Sequence, residues 1–152
     1  MPFKWATGPF LLLALPLLLG AAEPSWEGKL VILTRAGVKL KPPAGKDIAP
    51  KTAGVAKDLT FTVQKEENDR LLIDSRRQHG WIAKSDAVPY DQAVAHFTKE
   101  LDGNPKNSHA LTARGVAIGS GKDADKAVAD FDRAIELDPK ATLAYYHRAN
   151  LA

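Results

Sequence analysis

The sequence predicts a multi-domain β + α chain, with a small β-barrel followed by a stack of paired helices. Three observations predict it. Apolar residues alternate with period 2 as far as Val88 and switch to helical spacing from Tyr90 onward. The helical part repeats itself at a shift of 34 residues. The 152 residues hold no cysteine, carry a net charge of +3 and are 26% charged. That composition excludes a disulfide scaffold, an iron–sulfur cluster, a Cys-ligated zinc site and a thiol nucleophile, and argues against wholesale disorder.

The chain opens on an address. Met1 to Gly8 carries one cation, Lys4, ahead of the uncharged run Pro9 to Leu19 and the small residues Gly20, Ala21 and Ala22. This is the pattern of a secretory signal peptide. Cutting between Ala22 and Glu23 sets Gly20 and Ala22 at the two positions that require small side chains. A spanning helix needs about 20 apolar residues. Pro9 to Ala22 offers 14, two of them proline. Residues 1–22 therefore read as an export signal, with membrane contact only during export and a periplasmic or secreted destination.

Residues 26–89 read as strands. Leu30-Val31-Ile32-Leu33 is a short apolar run, Ala36-Gly37 a turn, and Val38-Lys39-Leu40-Lys41 alternates until Pro42-Pro43. Ala44 to Lys57 holds Gly45, Pro50 and Gly54 among lysines and reads as an exposed loop. Leu59 to Val63 alternates again, Glu66-Glu67-Asn68-Asp69 is a polar turn, and Arg70 to Ser75 is the next strand. Gln78-His79-Gly80 turns the chain into Gly80-Trp81-Ile82-Ala83, with Trp81 expected in the core. Strands this short and this closely spaced suggest a small barrel or sandwich.

Residues 90–152 read as helices. Ala93, Val94, Phe97 and Leu101 share one helix face, and Asn104-Pro105 stops it. Ala110 to Ile118 is a second helix, closed by Gly119-Ser120-Gly121. Ala127, Val128, Phe131, Ala134 and Ile135 form a third, with Asp123 and Asp125 suited to its positive N-terminal end. Asp138-Pro139 ends it, and a fourth helix starts at Leu143. Shifted by 34, Ala93-Val94-Ala95 falls on Ala127-Val128-Ala129, Phe97 on Phe131, Pro105-Lys106 on Pro139-Lys140, Ala110 on Ala144 and Arg114 on Arg148.

These residues resemble the tetratricopeptide repeat (TPR) family, whose period is 34. Gly115 stands where the first helix of a repeat needs a small residue for a close crossing. Ala127, Phe131 and Ala134 supply the small–large–small packing face, and Pro139 opens the next turn. The likeness spans a second helix of a terminal repeat at 90–104, a full repeat at 108–141 and a partial repeat at 142–152. Glu100 departs from the family's small residue and Ile118 from its aromatic. The resemblance implies an α-helical TPR solenoid whose concave surface binds peptides or extended protein segments. By register that surface is His109, Thr112 and Val116, then Leu143, Tyr146, His147 and Asn150. The subgroup that grips a terminal carboxylate uses Lys, Arg and Asn there. Only Asn150 fits, so that ligand is not carried over.

The β half resembles the bacterial SH3-like family, through Leu71-Leu72-Ile73, Gly80-Trp81-Ile82 and Lys84-Ser85-Asp86-Ala87-Val88-Pro89. The resemblance implies an SH3-like β-barrel with one tight helical turn before its last strand. The early loop Arg35-Ala36-Gly37 has no exposed aromatic, so polyproline binding is not carried over. Pro89-Tyr90-Asp91 joins the halves directly, which favours a fixed packing of one on the other.

No reactive centre is legible, and no cofactor or metal is implied. His79, His96, His109 and His147 have no ligand spacing among them. Ser75, Ser85, Ser108 and Ser120 lack a nucleophile's strand–turn–helix setting. Gly119-Ser120-Gly121-Lys122 follows a helix, not a strand, and so reads as a turn rather than a phosphate loop. Asp123, Asp125, Asp130 and Asp132 lie on different sides of one helix and lack calcium-loop spacing. Charge is uneven. Gly28–Val88 has 12 Lys/Arg against 7 Asp/Glu, whereas Pro89–Ala152 has 8 against 9. Scattered charge of this kind mainly serves solubility and is no nucleic-acid footprint. The expected partner is a protein or peptide, with an anionic cell-envelope polymer as a further candidate. The expected function is an exported, non-enzymatic protein–protein interaction scaffold. The alternatives are an envelope- or peptidoglycan-binding module and a regulatory fragment of a larger enzyme. The last helix has no cap, so the chain is expected to be part of a longer array.

Overall fold

The computed structural model describes residues 24–43, 54–119, 121 and 123–151. The export signal, with its Ala22/Glu23 cut, lies outside the described residues, as do residues 44–53 of the expected loop. Among the described residues the fold is mixed, strands first and helices after. The strands are β1 (Leu30–Leu33), β2 (Lys39–Leu40), β3 (Gly54–Val55), β4 (Thr60–Glu67), β5 (Arg70–Asp74), β6 (His79–Ala83) and β7 (Ala87–Pro89). The helices are α1 (Ala93–Gly103), α2 (Ser108–Gly119), α3 (Ala124–Leu137) and α4 (Thr142–Ala149).

Five strands form one antiparallel sheet in the order β6-β5-β4-β1-β7, and β2 pairs separately with β3. The unbroken apolar run of β1 follows from cover on both faces. Val31 and Leu33 enter a core with Val38, Leu40, Phe61, Val63, Leu71 and Ile73. Ile32 points the other way and joins Leu59 and Val88 in a core with Phe97, Leu111, Phe131 and other helical residues. Sheet and helices thus share buried surface. Burying each of the two phenylalanines contributes roughly 1.5–3 kcal/mol.

The expected barrel does not close. The sheet ends at β6 and β7, and β2 and β3 are only two residues long, too short to join those edges. β2 meets β6 through a single bridge, with Lys41 and Trp81 exchanging backbone N–H···O bonds of 3.0 and 2.8 Å. Gly80 permits that approach, since a Cβ there would lie 2.8 Å from the Leu40 Cβ. His79 accordingly belongs to β6 rather than to a turn, and Gly80 lies inside the strand, as expected. β4 also runs further than its polarity suggested. Its register shifts between Val63 and Lys65, and it continues to Glu67. Only Asn68-Asp69 turns, with Asn68 at φ 52°, a conformation asparagine tolerates. Gly54 and Val55, expected in a loop, pair with β2.

Each helix packs on the next in chain order. A Cβ on Gly115 would lie 2.6 Å from the Phe131 ring, so α3 crosses α2 at the glycine. Arg114 binds Asp130 through two hydrogen bonds of 2.7 Å, clamping α2 to α3. The Tyr90 hydroxyl donates to the Val116 carbonyl at 2.9 Å and ties the junction of the two halves to α2.

Candidate protein-binding cleft

The groove register divides between α2 and α4. On α2 the three candidate residues are already engaged. The His109 Nε2 lies 2.9 Å from the Leu33 carbonyl of β1. A carbonyl only accepts, so Nε2 carries the proton. Burial holds this imidazole below its ordinary pKa, against smaller opposing effects of the Leu33 carbonyl and Glu100. Thr112 is 4% exposed, and its hydroxyl donates to the Ser108 carbonyl at 2.8 Å. Val116 packs against the helical core and gives its carbonyl to Tyr90. These residues face covered structure rather than an open surface.

On α4 the candidates line a cleft. Leu143, Tyr146 and His147 form one wall of a space of about 810 Å³. The facing wall comes from Leu30 and from β4 and its approach, Lys57 to Thr62, with Asp74 to Arg77 at the end of β5. Tyr146 is 59% exposed and Leu30 43%. His147 stacks on Phe131 with centroids 6.2 Å apart. Burial lowers its pKa, opposed by the charge of Asp58. Asn150 is exposed beyond the cleft, and its backbone N–H caps α4 on the Tyr146 and His147 carbonyls.

Asp58, Arg76 and Arg77 line this cleft and were not singled out in the sequence, and Ser75, weighed there only as a nucleophile, joins them. Asp58 accepts the Ser75 hydroxyl at 2.6 Å and also binds Arg77. That ion pair raises the Arg77 pKa. Ser75 in turn accepts the Arg77 and Gln78 backbone N–H groups. The Ser75 hydroxyl therefore builds a turn, and its acceptor is a carboxylate, not a histidine base. Arg76 is exposed at the rim and forms no ion pair among the described residues. The signal that could have found these residues is the Arg76-Arg77 doublet within the basic β half. The cleft has an apolar wall and two cations, Lys57 and Arg76, that form no ion pair among the described residues, which suits an extended segment with an apolar side chain and a carboxylate.

Trp81 is half-buried rather than part of the core. It alternates outward between Gly80 and Ile82, with the Arg70 guanidinium carbon 5.0 Å from its ring centre. Among the described residues no helix is long and apolar enough to cross a membrane.

Two curated proteins are similar to parts of this chain. Anaphase-promoting complex subunit 3 of Schizosaccharomyces pombe is 39% identical over 61 residues, which is 40% of this chain and 9% of that protein. Tetratricopeptide repeat protein 12 of Homo sapiens is 28% identical over 102 residues, 66% of this chain and 14% of that protein. The chain thus spans a small fraction of the relatives it matches. No family model matches it, and no solved structure matches it. These partial likenesses make the chain tetratricopeptide-like.

Proposed function

We propose that this chain is an exported, non-enzymatic scaffold for protein–protein contact. In this reading an SH3-like β module is fixed against tetratricopeptide hairpins, and the cleft beside α4 holds an extended segment of a partner protein. One observation carries it. Leu143 and Tyr146 occupy the family's groove register and line an open cleft, while the equivalent α2 positions are covered by the chain itself. The 34-residue echo and the likeness to a tetratricopeptide repeat protein support a protein ligand. The run Pro9 to Leu19 followed by Gly20, Ala21 and Ala22 supports export.

The ligand segment sets an apolar side chain between Leu30 and Tyr146 and a carboxylate near Arg76. The test is selection of peptides from a displayed library on the purified chain, followed by affinity measurement. Tyr146→Ala is expected to weaken the selected peptides about tenfold or more, as loss of an interfacial tyrosine anchor does. Arg76→Ala should weaken only peptides that carry an acidic residue. The proposal fails if selected peptides bind Tyr146→Ala as tightly as the parent.

A further inference from the structure

A second groove, of about 360 Å³, shares no lining residue with the cleft. Strand alternation builds it. Val38 and Leu40 enter the core, so Lys39 and Lys41 stand together on the outer side of the chain around β2. The bridge between Lys41 and Trp81 holds the second lysine beside the outward indole. Arg70 lies over that indole, and Arg35 comes from the turn after β1. Four cations therefore line one groove with a single carboxylate, Asp86, which is taken by Arg35 at 2.9 Å. Glu67 reaches Arg70 at 3.5 Å. Lys39 and Lys41 form no ion pair among the described residues.

We propose that this groove docks an acidic, extended segment of a partner protein. Side chains on one face of an extended strand recur every two residues, roughly 6.6–6.8 Å, and Lys39 and Lys41 are two residues apart where the chain leaves β2 for its bridge to Trp81. Carboxylates at alternate positions meet those two lysines, and a third meets the Arg70 guanidinium above Trp81. A nucleic acid or glycan fits less well. Single-stranded nucleic acids and many glycans add stacking on a bare aromatic face to their charge contacts, and one face of this ring already carries Arg70. A carboxylate needs only to reach the guanidinium.

The test is fluorescence anisotropy on the full chain with a labelled hexapeptide of alternating Glu and Ser. Binding is expected, and it should weaken about tenfold in the double variant Lys39→Glu, Lys41→Glu and in about 0.5 M salt. Both lysines are exposed, and circular dichroism checks that the variant keeps its fold. The control Lys106→Glu, Lys140→Glu reverses two exposed cations of the helical half and should leave binding unchanged. Arg70→Lys keeps the charge but loses the planar stack, and should weaken binding by a smaller factor. The proposal is overturned if the double variant binds as the parent does. It is also overturned if a hexathymidylate or a hexameric uronate binds as tightly with the same dependence on Lys39 and Lys41. Tyr146→Ala should leave this binding unchanged, so failure here and failure of the cleft reading are told apart.

Discussion

His109, Thr112 and Val116 of α2 stand 34 residues before Leu143, Tyr146 and Asn150 of α4, and the two sets meet opposite fates. The α2 set is covered by β1, by the helix's own carbonyls and by Tyr90. The α4 set faces a cleft or solvent. Repeat register is a property of the helices, but accessibility is a property of what packs across them. Here the sheet ends over α2, and β4 with the end of β5 overhangs α4 without filling the gap. A groove position is therefore open only where the β half stops short.

Phe131 is the largest test of that contrast, because it serves both helices. Its ring packs on Gly115 of α2 and stacks with His147 of α4. Phe131→Ala should destabilise the chain by about 3–5 kcal/mol in urea denaturation. It should also loosen peptide binding in the cleft, since His147 loses its support. A loss of stability with the cleft affinity intact would mean that α4 is held by the sheet rather than by α3.

Gly115 and Ala149 give the next largest effect, and they compare the same register position in the two helices. A methyl group on Gly115 meets the Phe131 ring at 2.6 Å, inside contact distance. Gly115→Ala should therefore cost about 1–3 kcal/mol, despite the better helix propensity of alanine. Ala149 is exposed, and Ala149→Leu should change stability by no more than about 0.5 kcal/mol. Equal losses at both sites, read from urea midpoints, would erase the difference between the covered helix and the open one.

Much of this architecture was legible in residue spacing. The small–large alternation Gly115, Ala127, Phe131 and Ala134 specified how α2 and α3 cross, because that contact is local. The apolar run of β1 was legible as a strand. Its two-sided burial was not, because Ile32 is covered by helices more than 60 residues later in the chain. The same limit explains the candidate site. Register placed His109 and Leu143 on one kind of surface, and only the long-range packing of β1 on α2 separates them. Asp58 was not singled out because its partners, Ser75 and Arg77, lie across a strand pair. Local sequence places Trp81 in the core, because nothing local reveals that Lys41 and Arg70 frame it on the outside.

The smallest expected effect is also the most selective, because each helix carries one titrating reporter. His109 on α2 and His147 on α4 both have folded pKa values lowered by burial from an ordinary 6.5. The unfolded chain therefore takes up protons first as pH falls. Their contribution to stability is complete above about pH 6.5 and is lost as pH drops from there through the folded pKa. Urea midpoints of the parent should fall over that window, and His109→Gln and His147→Gln should each flatten part of the slope. A peptide bound in the cleft adds burial over His147 and none over His109. Saturating peptide should therefore steepen the pH dependence in the His109→Gln background and leave the slope unaltered in His147→Gln. A ligand that steepens the slope through His109 instead would show that the sheet lifts from α2 to admit it, and the contrast between covered and open helices would be a property of the unbound chain alone.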